Sequence, residues 1–295
     1  MTSNLTTPKP SRSTDVIHED YFGKHHLTVI EPVRGWRSLD LKELWAYREL
    51  FWVLTARDVK VRYKQTVLGA GWAIIQPVMT MVVFSIIFGG FASMASDGFP
   101  YPVFVYAGLL PWTFFAGCLT RSGSSVVGSA HLISKAYFPR VIIPLSSAGA
   151  GIVDLAISTA VMLLIMLYFG VAWSMNLLAA PVLLVLVVFM ALGVGTFVSA
   201  LNVAYRDFGF LTPFLVQLWM FATPVIYPAS LVPDKWHWLL YLNPMAGIIE
   251  GFRSAFLGGP FDLLLICISL LIAVVLFLTG LLYFEKVERR FADLI

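Results

Sequence analysis

Arg57-Asp58-Val59-Lys60-Val61-Arg62-Tyr63-Lys64-Gln65-Thr66-Val67-Leu68-Gly69-Ala70-Gly71-Trp72-Ala73-Ile74-Ile75-Gln76-Pro77 is the stretch that decides the fold. It opens as a cationic block, with Arg57, Lys60, Arg62 and Lys64 inside eight residues, and then meets no charged side chain until Asp97. Such a block suits an anionic cytoplasmic leaflet, where each cation is worth about 1 kcal/mol, and Trp72 at the changeover suits the headgroup level. The stretch therefore reads as the point where the chain enters a membrane, with everything before it cytosolic. On charge alone, any first span of an inside-oriented protein would look the same.

Working outward, the 295 residues are 59% hydrophobic and 13% charged, with a mean hydropathy of +0.82. A soluble globule is excluded and a polytopic all-α membrane protein is expected. A hydrocarbon core about 30 Å thick needs about 20 apolar residues per helix. Six segments meet that need: 70–91, 103–119, 141–169, 177–201, 208–226 and 261–284. With the amino terminus inside, Lys and Arg number 11 before the first span, 3 in the loop 121–140, 1 at Arg206 and 3 after the last span. Only Lys235 and Arg253 fall elsewhere, so the positive-inside rule supports an even span count with both termini cytosolic. Cys118 and Cys267 sit in apolar runs, and the five histidines form no ligand spacing, so neither a disulfide nor a metal is expected. The first 30 residues have no apolar stretch of signal-peptide type, so a cleavable leader is not expected.

Three regions follow from the order of the residues: a mobile tail over 1–39, an amphipathic and basic segment over 40–68, and a transmembrane domain over 69–295. The tail is rich in Ser, Thr, Pro and His without periodicity. Asp40 with Glu43 predicts a capping box. In the helix after it, Leu44, Trp45, Tyr47, Phe51, Trp52 and Leu54 share one face, while Lys42, Ala46, Glu49, Arg57 and Lys60 share the other. That division fits a helix lying in the membrane interface, or a soluble helix folded against its own tail.

Further along, the inner loop His131-Leu132-Ile133-Ser134-Lys135-Ala136-Tyr137-Phe138-Pro139-Arg140 sets aromatic rings beside cations. Alone it is a membrane-surface loop as readily as a docking element. Span three holds the small-residue run Ser146-Ser147-Ala148-Gly149-Ala150-Gly151, which permits close helix approach. Asp154 follows as the one charged residue expected deep within a span, at a cost of at least about 2.5 kcal/mol. A conduit role and a hydrogen-bonded structural role both stay open for it. Gly193, and Gly195 with Ser199, give span four a similar packing signal. Span five ends at Thr223-Pro224-Val225-Ile226-Tyr227-Pro228, and the segment beyond carries Trp236, Trp238 and Tyr241, then Asn243-Pro244, then a second helical piece with Glu250 and Arg253. Two short helices broken at Asn243-Pro244 fit a re-entrant hairpin in the outer leaflet, which needs protein around its broken backbone. An outer interfacial loop is the alternative.

Arg-Asp-x-Lys-x-Arg-Tyr with Leu-Gly-x-x-Trp, the inner loop, and Pro-Val-Ile-Tyr-Pro with Asn-Pro and Phe252-Arg253 together resemble the permeases of bacterial polysaccharide exporters. Those are ABC exporters of the second type, which move O-antigens, capsules and teichoic acids, and the resemblance covers about residue 45 to the end. It implies that Ser134, Lys135, Tyr137, Phe138 and Arg140 couple to an ATPase subunit. It also implies a re-entrant gate region with Trp236, Trp238, Asn243, Pro244, Glu250 and Arg253, and no carbohydrate-binding domain on this chain. Sugars stack on aromatic faces, which makes Phe84, Phe88, Trp112, Phe115, Trp219, Phe221 and Tyr227 candidates for a conduit.

No G-x-x-x-x-G-K-[ST] motif occurs, the one Gly-Lys pair being Gly23-Lys24 before a His. ATP and Mg are therefore expected on a partner subunit with a Walker A motif, in two copies, beside a homodimer of this chain, with a lipid-linked glycan as cargo, membrane lipids around it and no nucleic acid. Rival classes are a membrane glycosyltransferase, for which Asp97, Asp234, His237, Glu250 and Asp262 offer no paired motif, and an ion-coupled carrier or channel, for which Asp154 would stand alone. An ABC exporter of another cargo, such as a drug or lipid, is the nearest alternative.

Overall fold

The structure is a computed structural model that describes residues 41–64, 71–133 and 135–288. The expected tail, the capping residue Asp40, residues 65–70 with Gly69, and Ser134 lie outside the described residues. Every regular element among the described residues is helical. A short α1 (Leu41–Ala46) leads into α2 (Arg48–Lys64), and the first span is α3 (Gly71–Phe84), continuing as a π-helical turn over Ser85–Phe91. Then come α4 (Tyr101–Gly128), a single turn α5 (Ala130–Ile133), α6 (Ile142–Tyr168), α7 (Ala180–Ala204) and α8 (Phe208–Ala222). The chain closes with α9 (His237–Leu242), α10 (Pro244–Leu257) and α11 (Leu263–Glu288).

Among the described residues, five helices are long and apolar enough to cross a membrane: Gly71–Phe91, Tyr101–Gly128, Ile142–Tyr168, Met175–Ala204 and Leu263–Glu288. The expected fifth span, 208–226, is the exception. α8 stops after 15 residues, about 22 Å at 1.5 Å per residue, because Thr223 takes an extended conformation ahead of Pro224, which disfavours a helical residue before it.

α4 is the centre of the bundle, buried on nearly all sides by α6, α7, α10, α3 and α8. Tyr106, Phe104 and Phe115 are enclosed there, and the helix runs through Pro111 without a break. α7 crosses α11 at glycines: a Cβ on Gly193 would lie 2.7 Å from the backbone of Phe277, and one on Gly280 would strike the Gly193 carbonyl. Small residues let these backbones meet, and Phe189 stacks on Phe277 at 4.2 Å beside the crossing.

α2 lies along the N-terminal half of α6 and runs in the same direction. Thr55 donates to the Ser146 carbonyl at 3.4 Å, Phe51 and Thr55 close over Gly149, and Arg62 and Tyr63 reach Asp154. The apolar face expected from the wheel is thereby divided. Leu54 is buried toward α6, whereas Trp45 and Trp52 remain exposed at 71% and 65%.

Candidate functional site

A cluster of charged side chains forms where α2, α4 and α6 meet. Asp154 accepts from Arg62 through Oδ2 and from the Tyr63 hydroxyl through Oδ1. Burial first, and then the bond to Asp154, raise Tyr63 above its ordinary value of 10.0, which keeps it a protonated donor. The Arg121 guanidinium, on α4, stands 4.0 Å from the same Oδ2. Asp154, Arg62 and Arg121 border a cavity of about 510 Å³ that Trp72, Gln76, Trp112 and Thr113 also line. Asp154 is thus not alone. The sequence places Arg121 in the inner loop, but α4 continues to Gly128, and the guanidinium sits between Gly117 and Gly151, whose missing side chains give it room.

The inner loop has a different form from the expected amphipathic element. Helix extends over one turn only, and residues 135–140 form turns, consistent with Pro139 keeping Phe138 out of a helical conformation. Phe138 is buried at 5% within its own chain, so it is not open to a partner, while Tyr137 is exposed at 55% and Lys135 is exposed. Hydrogen bonds from Tyr47 and to Glu288 help hold the loop. The Tyr47 hydroxyl donates to the Tyr137 carbonyl at 3.4 Å. Arg140 donates from its backbone N–H to Glu288 Oε1 at 3.1 Å and from Nη1 to the Glu288 carbonyl at 2.8 Å.

Of the aromatic candidates, Trp112, Phe115 and Trp219 come together, with the Phe115 and Trp219 rings perpendicular at 5.2 Å and Trp112 6.3 Å from Trp219. Phe115 is completely enclosed and has no face to offer a sugar, whereas Trp112 borders the cavity. Phe84 and Phe88 form a separate edge-to-face pair at 5.7 Å, half-buried, and Phe221 is exposed at 54%. Tyr227 is half-buried, its hydroxyl 3.4 Å from the Phe221 carbonyl.

The segment after α8 breaks where expected. Asn243 caps α10 by accepting from the Met245 N–H at 3.2 Å, and Pro244 fills the first helical position. The same side chain accepts from Trp219 Nε1 at 3.1 Å and donates to Thr223 Oγ1 at 2.9 Å, tying the hairpin to the end of α8. α10 is buried between α4, α7 and α11, while Trp236 and Trp238 on the other arm are exposed. Arg253 is the lock. It is 4% exposed, donates to the Val225 carbonyl at 2.8 Å, the Tyr227 carbonyl at 3.2 Å and Glu250 at 2.8 Å, and covers the Phe104 ring at 3.8 Å. Two carbonyls of the turn that follows α8 thereby find a buried donor.

Five apolar helices among the described residues, one of them buried at the centre by its neighbours, define a multi-pass membrane protein. The chain belongs to the ABC-2 type transporter family, which it matches over residues 49–257. It is 29% identical over 248 residues to the O-antigen export system permease protein RfbA of Klebsiella pneumoniae, covering 84% of this chain and 95% of that protein. It is 29% identical over 218 residues, 73% and 83% of the two chains, to the protein of the same name from Myxococcus xanthus. The polysialic acid transport protein KpsM of Escherichia coli is 24% identical over 212 residues, 70% and 80% of the two chains.

Proposed function

We propose that this chain is the permease subunit of an ATP-driven exporter that moves a lipid-linked polysaccharide from the cytosol across the inner membrane. The observation that carries this reading is the likeness to a permease named for O-antigen export, which extends over 95% of that protein. The chain acts as a homodimer with two copies of an ATP-binding subunit, which holds the Walker A motif, ATP and Mg. α8 is the sixth span, completed by the buried turn after it, so both termini are cytosolic. α2 runs from the membrane interface along the inner half of span three, with its exposed Trp45 and Trp52 meeting lipid, and α9 with α10 forms a re-entrant hairpin on the outer side. Lys135, Tyr137 and Arg140, with Ser134, face the ATPase. The sugar path runs between the two copies, past Phe84, Phe88, Trp219, Phe221 and Tyr227.

Deleting the gene is expected to strip the glycan from the cell surface and leave polymer inside the cell, and affinity purification of the tagged chain should bring down an ATPase. Intact surface glycan in the deletion strain would refute the cargo. The alternative is an ABC exporter of another cargo, such as a lipid or drug; the inner membrane transport permease YadH of Escherichia coli, 27% identical over 196 residues, has no glycan in its name.

A further inference from the structure

We propose that Arg62 and Arg121 form a binding site for a phosphate-bearing anion, and that Asp154 occupies it as an intramolecular stand-in until the ligand arrives. The charges in the cavity do not balance. Two guanidinium groups converge on one carboxylate oxygen, and the other polar lining side chains, Gln76, Thr80, Thr113, Thr120 and Ser158, are neutral. Among the described residues one positive charge is left over, in a site bordered by the apolar α3, α4 and α6, where an uncompensated cation is costly.

Arg121 carries that surplus. Its Nη1 is 4.0 Å from Asp154, beyond hydrogen-bond distance. Its Nη2 has Cys118 Sγ, a weak acceptor, at 3.7 Å, and its buried Nε has no partner among the described residues. A guanidinium presents five donors in a planar fork that matches two oxygens of a phosphate. Here most of that fork is unused. The helices are also cut away around it. A Cβ on Gly117 would lie 2.7 Å from Nη1, and one on Gly151 would collide with Nη2, so a side chain at either glycine would displace the group from the cavity.

Two cations facing one space suit a multiply charged oxyanion, and a phosphate or diphosphate meets both the charge and the fork. The cavity of about 510 Å³ has room for it, with Trp72 and Trp112 on its wall. Binding would draw Arg62 from Asp154. Because Arg62 belongs to α2 and Asp154 to α6, the exchange would loosen the end of α2 where it meets span three. On the export reading, on which only the ligand's source rests, the anion is the phosphate that joins glycan to lipid; free phosphate has the same chemistry.

The test uses the full chain in nanodiscs of zwitterionic phosphatidylcholine, with radiolabelled farnesyl diphosphate and radiolabelled pyrophosphate as probes. Arg121→Gln should weaken binding at least about tenfold, as expected for lost hydrogen bonds to a charged group, with Arg121→Lys falling between it and the native chain. Asp154→Asn should tighten binding at least about threefold, because the competitor has lost its charge. On the unmodified chain, farnesyl diphosphate but not farnesol should protect Arg121 from phenylglyoxal, read by mass spectrometry, so a variant that fails to fold leaves the question decidable. Farnesyl diphosphate bound about tenfold tighter than pyrophosphate would identify a lipid headgroup, and equal affinity a free phosphate; either keeps the site. Native binding by Arg121→Gln, unchanged or weaker binding by Asp154→Asn, or no protection of Arg121 would overturn it. No glycan enters these assays, so that failure leaves the export reading standing. Intact surface glycans in the deletion strain would remove the cargo without touching the anion site.

Discussion

Arg253 shows how a single buried charge can organise a turn. Its guanidinium satisfies two carbonyls of the turn after α8, pairs with Glu250 on its own helix and lies on Phe104 of α4, so three separate elements depend on one side chain. Arg253→Met keeps the volume but strands those carbonyls and the Glu250 carboxylate. It should cost about 3 to 5 kcal/mol, seen as a lower unfolding midpoint in detergent. An unchanged midpoint would mean that packing alone holds the hairpin. Asp154, which is half-buried, was visible in the sequence as an expense without a partner. Its partners were not visible, for a physical reason. Hydropathy scores a helix as though lipid surrounded it, but α4 is sheltered by its neighbours and can carry Arg121, Ser122 and Gly123 beyond the point where the score falls. Arg62 was concealed differently, because its cationic neighbourhood also suits lipid headgroups.

Helix contacts decide which elements could be read in advance. The break at Asn243-Pro244 was legible because a capping side chain followed by proline is a local signal. The length of α8 was not, since Val225 and Ile226 prolong the apolar run past the residue where the backbone turns. At the α7–α11 crossing, Gly193→Val should push the backbones apart and cost about 1 to 3 kcal/mol, reducing the yield of monodisperse protein. A normal yield and unfolding midpoint would show that the crossing can yield at no cost. In the inner loop, two neighbouring aromatics have opposite surroundings and should give opposite defects. Phe138→Ala should lower the chain's own stability by about 3 to 5 kcal/mol, because it empties a buried position. Tyr137→Ala should leave the unfolding midpoint in place and weaken ATPase co-purification by about 2 kcal/mol, or about thirtyfold in affinity. Equal defects in both assays for the two variants would mean that the loop rearranges before it docks.

Across the whole molecule, the inner loop joins two routes into the membrane. One passes from Tyr137 to Tyr47 and along α2 to Asp154, and so reaches the arginine cavity. The other passes from Arg140 to Glu288 at the C-terminal end of α11, and from there through the Gly193 crossing to α7. A displacement of the loop by an ATPase would thus move two distant helices together, provided both attachments hold. Glu288→Ala removes the carboxylate that accepts from the Arg140 N–H but keeps the backbone carbonyl that accepts from Nη1. The loop should stay in position with a looser hold on α11. Losing one hydrogen bond of this kind is worth about 1 kcal/mol, enough to change a coupled equilibrium about fivefold. In proteoliposomes of the purified complex, the expected outcome is unchanged assembly with the ATPase, near-native basal hydrolysis, and a several-fold drop in substrate-stimulated hydrolysis. If stimulation survives intact, the route through α2 suffices by itself, and Tyr47→Phe, which removes only the hydroxyl contact, becomes the variant that should uncouple the complex.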